Sequence, residues 1–86
     1  MAQVEEPRLE DQIRGFIVSS LERPISISDG DRLIDRGYVP SMQLISLVGF
    51  LEDHFGVEVE PFDVTPETFE SIATIAAYIR DRQSPR

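Results

Sequence analysis

The stretch Gly37-Tyr38-Val39-Pro40-Ser41-Met42-Gln43-Leu44-Ile45-Ser46-Leu47-Val48-Gly49-Phe50-Leu51-Glu52-Asp53-His54-Phe55-Gly56 decides the fold. Leu44, Leu47, Val48, Leu51 and Phe55 recur at three- and four-residue spacing, which predicts a helix over about 41–55 with this stripe toward a core. Gly56 stands where a left-handed C-cap is needed. Ahead of the helix, Gly37 suits a turn and Pro40 a helix start. Ser41 lies between the loop and the apolar run. A serine there is either a helix cap or a place where the chain is modified. Helix N-termini favour anions through free amides and the macrodipole, so a phosphodiester on Ser41 would sit in a favourable field.

Working outward, Leu9, Ile13, Phe16, Ile17, Ser20 and Leu21 predict an earlier helix. Pro7 suits its first turn, and Glu10 and Asp11 complement its dipole. Pro24 is expected to end it. Residues 24–40 form a long connection with apolar anchors at Ile25, Ile27, Leu33 and Ile34. Asp29-Gly30-Asp31 and Arg36-Gly37 read as turns within it. Between Val57 and Phe69, Pro61 and Pro66 leave room for a turn or two of helix. Val59, Phe62, Val64 and Phe69 are the expected buried contacts there. Ser71 should cap a last helix through Ile72, Ile75, Ala76 and Ile79, with Arg80 and Arg82 at its favourable C-terminal end. The expected fold is all-α: three main helices and a short third one in a four-helix bundle. It forms a single domain over 7–82, with flexible termini at 1–6 and 83–86.

The chain has 86 residues, sixteen acids and eight bases, a formal charge of −8 and no cysteine. Every base is arginine. Such a charge repels phosphate backbones and excludes nucleic acid as the natural partner. It suits a protein with a basic patch, or serves solubility alone. The apolar runs are too short to cross a bilayer, and the acidic Met1–Glu6 is no secretory signal, so no membrane role and a cytoplasmic location are expected. Without cysteine, disulfides and thiolate ligands are unavailable, which fits a reducing compartment.

Catalytic chemistry is hard to assemble. The lone His54 lies roughly 20 Å along the helix from Ser41, beyond hydrogen-bond reach, which disfavours a small hydrolase. No second His or Cys exists for zinc. Asp29, Asp31 and Asp35 fail the calcium-loop spacing, which would place Leu33 and Ile34 at its fifth and sixth positions and Pro40 at its twelfth. Gly30 and Gly37 are turn glycines rather than a phosphate loop. The expectation is a protein without enzymatic activity and without a metal.

Three segments in this order resemble the acyl carrier and peptidyl carrier protein family. They are Leu33-Ile34-Asp35-Arg36-Gly37 leading into Ser41-Met42, Leu51-Glu52-Asp53-His54-Phe55-Gly56-Val57-Glu58-Val59, and Phe69-Glu70-Ser71-Ile72. The resemblance covers about residues 9–80. It implies an acyl-carrier-like four-helix bundle with a short third helix. It also implies a 4′-phosphopantetheine arm on Ser41, attached by a phosphopantetheinyl transferase from coenzyme A. Cargo, acyl or aminoacyl, would be held on the arm's thiol, so the reactive sulfur belongs to the cofactor and not to the chain. Implied partners are an acyl or aminoacyl ligase and downstream synthases or transferases with basic docking patches. They would act in trans on a discrete monomer of fatty acid, polyketide or nonribosomal peptide biosynthesis.

Two departures from the family pattern stand out. Pro40 occupies the place where the family usually has Asp before the serine. The exposed side of the second helix is also less acidic than in fatty-acid carriers, which points to a specialised carrier. Met42, Ile45 and Gly49, with Glu52 and Asp53 beyond them, form a row. It reads either as overflow of the core stripe or as a partner-docking strip. Gly49, Ala73, Ala76 and Ala77 either leave room for an acyl chain or permit close helix packing. The alternative function is a carrier-like interaction module that is never modified.

Overall fold

The computed structural model describes residues 8–21 and 25–83, with Ser41 through its backbone alone. Among these residues there are three α-helices, a single 3-10 turn and no strand. The expected end of the first helix at Pro24 and its start at Pro7 lie outside the described residues, as do 1–6 and 84–86.

Helix α1 spans Leu9–Leu21 and buries Ile13 and Ile17, one helical turn apart. Helix α2 spans Ser41–Phe55 and buries Leu47 and Leu51, with Leu44, Val48 and Phe55 half-buried beside them. Helix α3 spans Ile72–Gln83 and buries Ile72, Ile75, Ala76 and Ile79. Gln83, expected in the terminal tail, closes this helix. Helix α1 is the central element, packing against both α2 and α3.

The capping chemistry follows the local sequence. Gly56 closes α2 in the left-handed conformation at φ 67°, and its N–H reaches the Glu52 carbonyl at 3.0 Å. Ser71 caps α3: Thr74 N–H donates to Ser71 Oγ at 3.2 Å and Ser71 N–H donates to Thr74 Oγ1 at 3.0 Å.

The long connection is packed down by its own side chains, as its apolar anchors predict. Ile27, Leu33 and Val39 join the core cluster. Ile34 departs from the expectation: it is 41% exposed. Leu33 N–H donates to the Glu70 carbonyl and Ala73 N–H to the Asp29 carbonyl, and these bonds fix the connection against the start of α3. That register points Leu33 inward and leaves its neighbour Ile34 outside.

The segment before α3 holds one helical turn, within the turn or two that its prolines allow. Only Pro61–Asp63 forms a 3-10 turn, followed by a bend through 65–69 with Phe69 N–H on the Thr65 carbonyl at 3.1 Å. Val59 and Phe69 are buried as expected and Val64 is half-buried. Phe62 is not: it is 89% exposed. The turn is braced from behind, because Tyr78 Oη donates to Asp63 Oδ2 at 2.7 Å and accepts from Glu60 N–H at 3.4 Å. With both flanks of the turn fastened to α3, Phe62 faces outward.

A polar seam joins α1 to α3. Glu10, buried, takes a two-pronged hydrogen bond from Arg80 at 2.8 and 2.9 Å. The sequence accounts for each by its own helix dipole; the packing pairs them instead. This bond chiefly, aided by the charges of Arg80 and Arg8 against the cost of burial, holds the Glu10 carboxyl down at about 2.

Candidate functional site

The site expected at the start of α2 is built by the loop before it. Gly37 turns the chain at φ 76°, a left-handed conformation that disfavours other residues. Tyr38 and Val39 N–H groups then both reach back to the Leu33 carbonyl, at 2.8 and 3.3 Å. With Leu33 and Val39 buried, the backbone is delivered to one place on the domain surface.

Pro40, not Ser41, is the N-cap of α2: it is extended at φ −63°, ψ 162°, and its carbonyl accepts the first helical bond from Leu44 N–H at 3.0 Å. Ser41 is therefore the first residue inside the helix, and the plain cap reading of Ser41 does not hold. Pro40 has no side-chain donor or acceptor, so the first-turn amides receive no side-chain cap. The first turn contains no acid either. From Gly37 to Leu51 the chain carries no charged residue. The start of α2 is thus a positive dipole end without a carboxylate of its own turn against it.

Ile45 lies one turn along from Ser41, and Met42, Ile45, Gly49, Glu52 and Asp53 fall within an arc of about 100° on α2. Their exposures differ. Met42 is 85% and Ile45 77% exposed, so neither is overflow of the core stripe. Gly49 is half-buried and Asp53 exposed. Glu52 is half-buried and turned toward the following loop, where Oε2 accepts Val59 N–H at 3.0 Å. The far end of the row is therefore partly committed to structure, and its near end is not.

The remaining candidates separate. His54 is exposed, and its Nε2 lies 2.6 Å from Gln12 Oε1 on α1. Its ring stacks on Phe50 at 4.9 Å, and Phe50 in turn stacks on Phe16 at 4.4 Å. His54 thus belongs to the α1–α2 junction, far from Ser41. Asp29 pairs with Arg14 and Arg8, Asp31 accepts Ser28 N–H, and Asp35 pairs with Arg32. Among the described residues no group of carboxylates and imidazole could hold a metal ion. No described helix is long and apolar enough to cross a membrane. Of the small residues, Ala76 alone is in the core; Ala73 and Ala77 are exposed and Gly49 half-buried, so the four do not line one space.

Two features carry no legible signal in the sequence. Phe62, expected among the buried contacts, is exposed. The grouping of Arg32, Ile34, Asp35, Pro66, Glu67 and Glu70 around one hollow has no sequence signal, since it joins segments thirty residues apart. No family model, curated protein or solved structure matches this chain.

Proposed function

We propose that this protein is a carrier, loaded at Ser41 with a 4′-phosphopantetheine arm by a transferase using coenzyme A, and that it presents cargo to biosynthetic enzymes. One observation carries this reading: the backbone of Ser41 opens α2 beside two large apolar side chains, Met42 and Ile45, that folding leaves in water. The finer fold assignment, a carrier-like bundle in which the 3-10 turn and bend at 61–69 stand in for a short third helix, belongs to the same proposal.

The residues fit the group. A phosphodiester at the first position of α2 would lie in the field of first-turn amides that Pro40 does not cap, with no acid in that turn to repel it. The bound arm supplies a thiol that holds an acyl or aminoacyl cargo as a thioester. The chain's own residues do the rest. Gly37, Leu33 and Val39 fix where Ser41 emerges, and Met42 and Ile45 offer an apolar contact to whichever enzyme docks. The surrounding acidic surface steers partners with basic patches.

The test is an intact mass. The apo-protein is incubated with coenzyme A, Mg²⁺ and a broad-specificity phosphopantetheinyl transferase. A gain of one phosphopantetheine that is absent from Ser41→Ala supports the carrier. No gain with several transferases removes it. A second reading, an interaction module that is never modified, is favoured by Pro40 at the N-cap, where the family pattern has Asp. If Pro40→Asp is modified and the natural chain is not, the second reading replaces the first.

A further inference from the structure

A hollow of about 280 Å³ opens beside the connection that leads into α2, lined by Arg32, Ile34, Asp35, Pro66, Glu67 and Glu70. Its walls are joined by the 2.8 Å bond from Leu33 N–H to the Glu70 carbonyl. The partly exposed Ile34 and the exposed Pro66 make its lining apolar in part. Three carboxylates stand around it against one guanidinium, a surplus of two negative charges. Arg32 spans that rim, with Nη1 at 3.2 Å from Asp35 and Nε at 3.9 Å from Glu70. Glu67 makes no ion pair among the described residues.

The Leu33 carbonyl, bonded to Val39 N–H at 3.3 Å, ties the hollow's Ile34 to the chain entering α2, and so bounds the Ile34–Ser41 Cα separation at about 15 Å. The first turns of α2 carry no charge, so a basic partner approaching Ser41 meets carboxylates at the hollow and at the far end of α2 rather than on those turns. Nucleic acid and anionic lipid are repelled by the same rim. An arginine matches both parts of the lining, its aliphatic stem on Ile34 and Pro66 and its guanidinium on the carboxylates. Arg32 is a weak occupant, because it and its two partners are all more than half exposed.

We infer that this hollow is the docking point for an arginine side chain of the protein partner that works at Ser41. The partner's identity rests on the carrier reading; the chemistry of the hollow does not. The ¹⁵N-labelled full chain is titrated with N-acetyl-leucyl-arginine amide, and with the analogue in which uncharged citrulline replaces arginine. Saturable shifts of the Ile34, Asp35, Glu67 and Glu70 amides are expected with the arginine peptide alone. Arg32→Ala removes the internal competitor and should tighten binding about two- to fivefold, while Glu67→Gln weakens it by a similar factor. Equal shifts with citrulline, or an Arg32→Ala variant that binds no better, overturn the proposal. So does a concentration-dependent shift of the same amides without peptide, which assigns the hollow to a second copy.

With the transferase, Glu67→Gln should raise KM about two- to fivefold at unchanged kcat, and Glu58→Gln should leave both alone. Equal KM changes mean that the enzyme senses net charge only, and the docking point falls. If Ser41 is never modified but the peptide still titrates the hollow, the carrier reading fails and the arginine site stands with another protein. If Ser41 is modified and the peptide moves none of these amides, the hollow fails alone.

Discussion

The seam between α1 and α3 buries a carboxylate, Glu10, and meets both its oxygens with Arg80, whereas the first turns of α2 leave Met42 and Ile45 in water. The two regions place residues against their ordinary preference in opposite directions. At the seam a charge is inside, and its partner is supplied by the fold. At α2 two apolar side chains are outside, and the fold supplies nothing to cover them. An isoleucine left exposed forgoes roughly 1.5–3 kcal/mol of burial. The seam is accounted for by folding, whereas the exposure of Met42 and Ile45 contributes nothing to it.

The sharpest way to break this comparison is to cut the core and the α2 surface in parallel. Phe69 is fully buried, and Phe69→Ala should cost about 3–5 kcal/mol, much of the stability of a domain this small. Urea unfolding measures it. A loss no larger than that of an α2 surface variant would erase the distinction.

Next comes the seam itself. The Glu10 carboxyl is held at about 2 against its ordinary 4.5, chiefly by the Arg80 hydrogen bond. A folded value below the unfolded one means that the contribution is whole above pH 4.5 and is lost as the pH falls toward 2. We expect the Tm of the natural chain to drop through that window more steeply than that of Glu10→Gln, which starts lower. Parallel curves would mean that the pair adds nothing.

Tyr78→Phe should cost about 1 kcal/mol, because it removes the bond to Asp63 and the acceptor for Glu60 N–H. Faster amide exchange at Val64, whose N–H reaches the Pro61 carbonyl, would report the loosened turn. The smallest effect on stability belongs to Met42→Ser combined with Ile45→Ser, within about 0.5 kcal/mol. The same double variant should slow modification by the transferase. Loss of stability without loss of modification would place these side chains in the fold after all.

Helix α2 was legible to the residue at both ends, Ser41 and Phe55, because a five-member apolar stripe, Pro40 and Gly56 bracket it locally. The Ser71 cap and the buried face of α3 were legible for the same reason. The short connection before α3 was not. Pro61 and Pro66 limit helix length, but which way Phe62 points depends on Tyr78, some sixteen residues on, gripping Asp63. Ile34 went astray similarly, since the Leu33–Glu70 backbone bond chooses which of two adjacent apolar residues goes inside. At the candidate site, the row of residues on α2 could be laid out from helical spacing. Its division into exposed Met42 and Ile45 and a committed Glu52 could not.

By itself the sequence determined the all-helical class, the limits of α2, the caps at Gly56 and Ser71, and the lack of a second imidazole or thiol. All of these depend on residues within a turn or two of each other. The tertiary structure decided that Glu10 and Arg80 pair and that Asp35 and Glu67 share a hollow. Only packing brings distant segments into register, and only register sets which apolar side chains are left exposed.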